Sequence, residues 1–215
     1  MPFGYPVSLE LSGRKAVVIG EDAVAQGKVG PLVAVGAEVT VVADGPPGVL
    51  DRLEREGRVT VLRRGFRPQD LEGAFICVAS SRDPEVRIAI HREGRVRGVL
   101  VNVMDDPDHC DFAAPAVVRR EDLVLAISTG GRSPALARRL RVELEQRFGP
   151  MWGVLLELVG EVREETLHLL PDLRERSRRW QAALDLEELE RLVGAGRLEE
   201  ARNRLRSRLL EVGSV

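Results

Sequence analysis

Three short stretches of the 215-residue chain carry residue types whose spacing suits chemistry. The first is Gly20-Glu21-Asp22-Ala23-Val24-Ala25, a glycine turn after a β-branched run. A turn between a first strand and a first helix suits a dinucleotide's pyrophosphate. Glycine lets the backbone approach, and the helix amino end offers N–H groups and a favourable dipole. Gly20 and the backbone of Ala23 and Val24 are the candidate contacts. Asp22 stands where a second glycine would help. Its carboxylate either meets the phosphates as a like charge or caps the helix by taking the amide donors itself. Asp44 and Gly45 follow the second apolar run. An acid there hydrogen-bonds the adenosine ribose of NAD rather than a 2′-phosphate, and a plain turn residue is the equal alternative.

The second stretch is Asn102-Val103-Met104-Asp105-Asp106-Pro107. Asp105 follows a strand's carboxyl end, where ligands sit in open α/β sheets, and a carboxylate there can accept a proton as hydride leaves a substrate. The alternative is an Asx-turn before Pro107. Asp106 either raises the pKa of Asp105 by like-charge repulsion or faces solvent. The third stretch is Ser128-Thr129-Gly130-Gly131-Arg132-Ser133-Pro134. Ser133 is an N-cap and Pro134 a first helical residue, with Gly130 and Gly131 leaving amide donors just ahead. This suits an anion, with Arg119, Arg120 and Arg132 nearby, or it is a capped helix with solvated arginines. His91, His109 and His168 have no i,i+4 metal spacing, and the pair His109-Cys110 alone assigns no metal. Ser128 lacks the Gly-x-Ser-x-Gly context of a hydrolase. Trp152 and Trp180 read as packing residues.

These residues need elements to position them. Residues 14–20, 37–43, 58–62, 74–79 and 98–103 are short apolar runs, and helical stretches cover 23–36, 49–56 and 84–93. Such runs separated by helices predict a parallel sheet covered on both faces, a doubly wound Rossmann-like α/β domain. Residues 116–120 and 123–127 read as two strands joined through Glu121-Asp122, and a helix follows to about residue 148. From 150 the chain is helical throughout, with apolar stripes at 152–159 and 186–193. Residues 150–215 hold 13 acidic side chains and 11 arginines, a salt-bridged surface. The segment is small for an independent core, so its stripes are expected to bury against a second subunit in a homodimer.

Composition excludes several classes. A net charge of −2 leaves no basic nucleic-acid footprint, and 4% aromatics is too few for a base-stacking platform. The apolar runs are too short to span a membrane. Residues 1–13 lack a basic region followed by an apolar one, so no signal peptide is expected. Two cysteines make no zinc spacing or disulfide framework, and a cytoplasmic location is expected. Of 32 cationic side chains only Lys15 and Lys28 are lysines, which reads as genome composition before function.

Three segments together are similar to the precorrin-2 dehydrogenase/sirohydrochlorin ferrochelatase family of siroheme synthesis. They are residues 17–42 around the glycine turn and Lys28; Val101-Asn102-Val103-Met104-Asp105-Asp106-Pro107 with Cys110-Asp111-Phe112 and Pro115-Ala116; and 126–138 around Gly130-Gly131-Arg132-Ser133-Pro134. The resemblance covers essentially the whole chain. It implies NAD-dependent oxidation of precorrin-2 to sirohydrochlorin, with Fe²⁺ insertion to siroheme in some members. It also implies a Rossmann-like NAD-binding domain (1–112), a small dimerisation region (113–148) and a helical C-terminal domain (149–215). Asp105 matches the aspartate implicated in both chemistries. Asn102 joins the coenzyme contacts, and Arg119, Ser128, Thr129, Gly130, Gly131 and Ser133 join the contacts to a carboxylate-rich tetrapyrrole. The family turn usually reads Gly-Gly-Gly-x-Val-Ala, and its usual Arg-Lys on the next helix is Gly27-Lys28 here. Against this reading stand a chelatase-only enzyme and a non-catalytic tetrapyrrole-binding dimer.

Overall fold

The run Lys15-Ala16-Val17-Val18-Ile19 is apolar after its first residue and forms β1 (Lys15–Ile19), with its last four residues buried. The computed structural model describes residues 4–20, 22–44 and 50–211. It divides into two compact units, Met1–Ala114 and Pro115–Val215.

In the first unit β1 is followed by α1 (Ala23–Ala34), β2 (Glu38–Val42), α2 (Leu50–Arg55), β3 (Val59–Leu62), β4 (Ile76–Ala79), α3 (Pro84–Arg97) and β5 (Leu100–Val103). The five strands pair in the order β3-β2-β1-β4-β5, and all four pairings are parallel. Alternate residues of β1 go to opposite cores. Ala16 and Val18 pack with Val39, Val41, Ala25 and Val29, whereas Val17 and Ile19 pack with Cys77, Ala79, Val101 and Ile90. The expected doubly wound Rossmann-like sheet is therefore the one observed. Of the helix expected at 49–56, Val49 lies outside the described residues. The third expected helix runs four residues further, to Arg97, where Gly98 in the left-handed region ends it. Helix α3 lies so close to β5 that a Cβ on Gly94 would fall 2.2 Å from Val101 Cγ2.

In the second unit β6 (Ala116–Arg120) and β7 (Leu123–Ile127) form an antiparallel hairpin. Then come α4 (Pro134–Arg147), α5 (Met151–Thr166), α6 (Leu173–Ala183), α7 (Leu186–Gly194) and α8 (Leu198–Glu211). Arg120 reaches the carboxyl end of α4, donating from Nε to Phe148 O (2.7 Å) and from Nη2 to Glu145 O (3.0 Å). A cation there offsets the helix dipole. Leu155, Leu158, Val162, Leu189, Leu192, Leu205 and Leu209 bury one another in a single core. The helices from 150 onward thus bury their stripes within the chain, which corrects the expectation that they need a second subunit to do so. Four helices closing on one another supply enough apolar contact without a partner. The hairpin, α4 and these helices belong to one compact unit. Among the described residues no helix is long and apolar enough to cross a membrane.

Between β3 and β4 a 3₁₀ turn at Pro68–Leu71 holds a buried acid. Asp70, its side chain 4% exposed, takes both arms of the Arg64 guanidinium (2.8 and 2.6 Å) and the Arg67 N–H (2.8 Å). Burial alone would push its carboxyl up. Arg64 and then the Arg67 amide outweigh burial and hold it below the usual carboxylate range. A depressed folded-state pKa stabilises above the unfolded value, near pH 4, and the gain is lost as pH falls through the folded value. Asp70→Asn should cost about 1–2 kcal/mol at pH 7, with the difference shrinking below about pH 4. Urea denaturation of both proteins across that range measures it.

Candidate active site

The strand order puts a topological switch between β1 and β4, and ligands of such sheets bind beyond the carboxyl ends of the strands there. Gly20 leaves β1 at φ +133°, and a Cβ on it would lie 2.6 Å from Ser80 O. Only glycine passes that close beneath the end of β4. Asp22 then caps α1. Its Oδ1 accepts from Ala25 N at 2.7 Å, and its Oδ2 accepts from Ser80 Oγ at 2.5 Å. Of the two roles open to Asp22, capping is visible, and the cap is tied across to β4's end. Ala23 and Val24 are the first residues of α1. Asp44 is exposed two residues past β2, and Gly45 lies outside the described residues.

A dinucleotide fits this edge in its main features. The glycine turn, the amino end of the 12-residue α1 and Asp44 all follow strands β1 and β2. The departure is Asp22, whose carboxylate already occupies a helix donor that a phosphate would use.

Asp105 lies just beyond β5, exposed, with φ +59°. A left-handed non-glycine residue costs on the order of 1 kcal/mol and persists where its surroundings impose it. The chain around it is fastened closely. Met104 N donates to Ala79 O (2.8 Å) and Asp106 N to Val103 O (3.2 Å). Cys110 Sγ accepts from Val103 N (3.2 Å) and donates towards Val103 O (3.1 Å) and Asp106 O (3.2 Å). Val101 exchanges two bonds with Asp111: its N–H donates to Asp111 Oδ2 (3.0 Å), and its carbonyl accepts from Asp111 N (2.7 Å). Asn102, expected among the coenzyme contacts, donates from Nδ2 to Phe112 O (2.9 Å). Cys110-Asp111-Phe112 thus closes the open edge of β5, a physical reason for that motif.

Asp106 pairs with Arg87 of α3 (Nε to Oδ2, 2.9 Å) and lies 2.9 Å from His109 Nδ1. That ring nitrogen is buried with no aligned hydrogen-bond partner, so the contact is a close approach and not an aligned bond. His109 first, against the opposing pull of burial, and then Arg87 hold the Asp106 carboxyl below its usual range. These partners turn the Asp106 carboxylate inward and away from open solvent. His91 stacks edge-on against His109 with centroids 5.4 Å apart. Burial pushes the Cys110 thiol up, so it is a hydrogen-bonding thiol rather than a thiolate. Among the described residues no three His, Cys, Asp or Glu side chains converge to hold a metal ion.

The remaining expected residues belong to the second unit. Ser133 caps α4, its Oγ accepting from Leu136 N (3.2 Å). Ser128 Oγ accepts from Gly130 N, and Thr129 Oγ1 accepts from Ser133 N, each at 3.2 Å. The loop's hydroxyls therefore take amides that the sequence alone left open, Gly130's among them. These bonds are long, and an anion can replace them. Arg119 is exposed, whereas Arg120 is committed to α4's carboxyl end. Ser80 and Arg87 were not among the candidates. Ser80 is marked in the sequence by its place directly after Ile76–Ala79, the one wholly apolar strand of the first unit.

Comparisons with known proteins follow the same division. The family described as putative NAD(P)-binding matches residues 7–116, and that described as sirohaem biosynthesis protein central matches 120–147. Siroheme synthase of Methylococcus capsulatus is 35% identical over 196 residues, 91% of this chain and 41% of the relative. Siroheme synthase 1 of Pectobacterium atrosepticum is 36% identical over 205 residues, 95% of this chain and 42% of the relative. The chain spans about two-fifths of the length of these curated relatives. A solved structure titled SirC, precorrin-2 dehydrogenase is similar at a TM-score of 0.73 and 24% identity, covering 94% of this chain and 99% of that one, which shows the shared fold. The chain belongs to the putative NAD(P)-binding family, joined directly to a sirohaem biosynthesis central segment and related to siroheme synthases along nine-tenths of its length.

Proposed function

We propose that the chain oxidises precorrin-2 to sirohydrochlorin in siroheme synthesis, with NAD⁺ as the acceptor. The observation that carries the proposal is Asp105, an exposed carboxylate in a forced backbone conformation at the carboxyl edge that also bears the glycine turn. Gly20, Ala23 and Val24 are the contacts to the coenzyme phosphates, Asp44 to the adenosine ribose, and Asn102 holds the loop beneath. The bound nicotinamide supplies the hydride acceptor. Asp105 takes the proton that the macrocycle releases as hydride leaves. Arg119 and the hydroxyls and amides of Ser128, Thr129, Gly130, Gly131 and Ser133 bind carboxylates of the tetrapyrrole. With two free thiols, Cys77 and Cys110, the protein suits a reducing cytoplasm.

One observation favours a second reading. Asp22 holds Ala25 N and Ser80 Oγ, so a weak coenzyme site would leave a chelatase, with Fe²⁺ and sirohydrochlorin as substrates and Asp105 taking the pyrrole protons, or a tetrapyrrole-binding dimer without catalysis. Titration with NAD⁺ and NADP⁺ separates the readings. NAD⁺ should bind more tightly than NADP⁺ through Asp44, and Asp22→Gly should tighten NAD⁺ by roughly five- to tenfold, on the order of 1 kcal/mol from removing a nearby like charge. The gain should shrink at high salt. No binding by either form leaves the second reading standing.

Asp105→Ala should lower kcat for precorrin-2 oxidation by about a hundredfold or more, the usual contribution of a general base. NAD⁺ affinity should stay within about twofold. Near-normal turnover would remove Asp105 from the chemistry.

A homodimer is proposed through the hairpin. Two strands alone are marginal in water, and one face of β6–β7 leaves Val117 and Val124 exposed at 37% and 41%. Light scattering at micromolar concentration should give two chains, and Val117→Glu should shift the mass towards one.

A further inference from the structure

Arg87 of α3 stands outside the coenzyme turn and the loop that bears Asp105, yet its guanidinium touches the chain beside both. Its Nε donates to Asp106 Oδ2 at 2.9 Å. Its Nη1 donates to Ser81 O at 3.1 Å, the residue after the Ser80 that holds Asp22's carboxylate. One planar group therefore fastens the loop after β4 to the loop after β5. The pair is shielded, with Arg87 and Asp106 side chains only 27% and 18% exposed. His109 Nδ1 backs the other carboxylate oxygen of Asp106 at 2.9 Å.

We infer that Arg87 is a positioning residue for Asp105, acting through Asp106 to hold the left-handed conformation in which Asp105 is presented. The inference rests on the functional reading above. An ion pair that only tied α3 to the sheet would serve as well at any point along the helix. This one is anchored on the residue adjoining the strained Asp105 and on a backbone carbonyl beneath the coenzyme edge. Backbone strain at a functional residue persists only when its surroundings over-determine it. The bonds of Cys110 hold the loop from its far side, and Arg87 holds it from α3. Releasing the Arg87 contact leaves the binding surfaces in place and lets the carboxylate wander. A misplacement near 1 Å at a reacting group costs rate far more than binding.

The test uses the full chain, with precorrin-2 oxidation followed by coenzyme reduction. Arg87→Ala should lower kcat about tenfold or more, while KM for precorrin-2 and for the coenzyme stays within about twofold. Arg87→Lys, able to reach one anchor but not both, should recover part of the loss. Asp106→Asn keeps the shape and one acceptor oxygen, so it should lower kcat less than Arg87→Ala, again at unchanged KM. It decides the matter if Arg87→Ala does not fold. Unchanged kcat in Arg87→Ala, or a raised KM with kcat preserved, overturns the proposal. If the wild-type chain shows no turnover, the functional reading falls by itself and hydrogen exchange judges the clamp. Faster exchange of amides 104–111 in Arg87→Ala, with β1 and β2 unchanged, supports the clamp, and equal rates overturn it.

Discussion

Burial of β1 on both faces, between β2 and β4, is the constraint on which the first unit depends. Ala16, Val17 and Val18 have no exposed surface, so the strand must be apolar after Lys15 and its neighbours must supply two cores. Parallel pairing then sends every crossover helix to one face or the other. It also brings the carboxyl ends of all five strands to one edge. The glycine turn, Ser80 and Asp105 share that edge because β1, β4 and β5 are consecutive in the sheet, although they are far apart in the chain. The chemistry proposed for the protein thus follows from hydrophobic burial before any polar residue is considered.

The polar groups at the edge are held by a second set of constraints. Strand β5 has a free side, and an open parallel edge in an apolar sheet invites pairing with another chain. Cys110, Asp111 and Phe112 satisfy it from within. The same segment anchors the loop that carries Asp105, so edge protection and the presentation of the carboxylate use the same residues. Helix α1 shows the reverse arrangement. Gly27, Gly30 and Pro31 lie inside it, each unfavourable to a helix on local grounds. Burial of Ala25 and Val29 against β1 and β2 holds it regardless. A ligand bound at its amino end adds stability by linkage where intrinsic helicity is low.

Much of this was legible in the chain. The apolar runs located all five parallel strands, since a sheet covered on both faces demands apolar residues in each, even in the edge strand β3, where only Val59 is fully buried. The hairpin strands 116–120 and 123–127 were likewise legible, and so were the helix starts at Asp22 and Ser133, because a cap acts on amides two or three residues away. Motif resemblance located Asp105. None of these readings required knowing which elements are neighbours.

What the tertiary structure decided is what depends on neighbours. Asp22 meets Ser80 across 58 residues, Arg87 meets Asp106 across 19, and Arg120 meets Phe148 across 28. Strand order brings the first pair together, the packing of α3 against the sheet the second, and the return of α4 past the hairpin the third. The helices after residue 150 could not be seen to close on themselves, because an amphipathic stripe states that a face must be covered and not by what. The sequence by itself determined the strands, the helix starts at Asp22 and Ser133 and the apolar faces that must be buried, since periodicity and capping act over a few residues. Which charged groups meet was decided only in the fold, because hydrophobic burial sets the contacts and the polar side chains then pair with whatever burial has placed beside them.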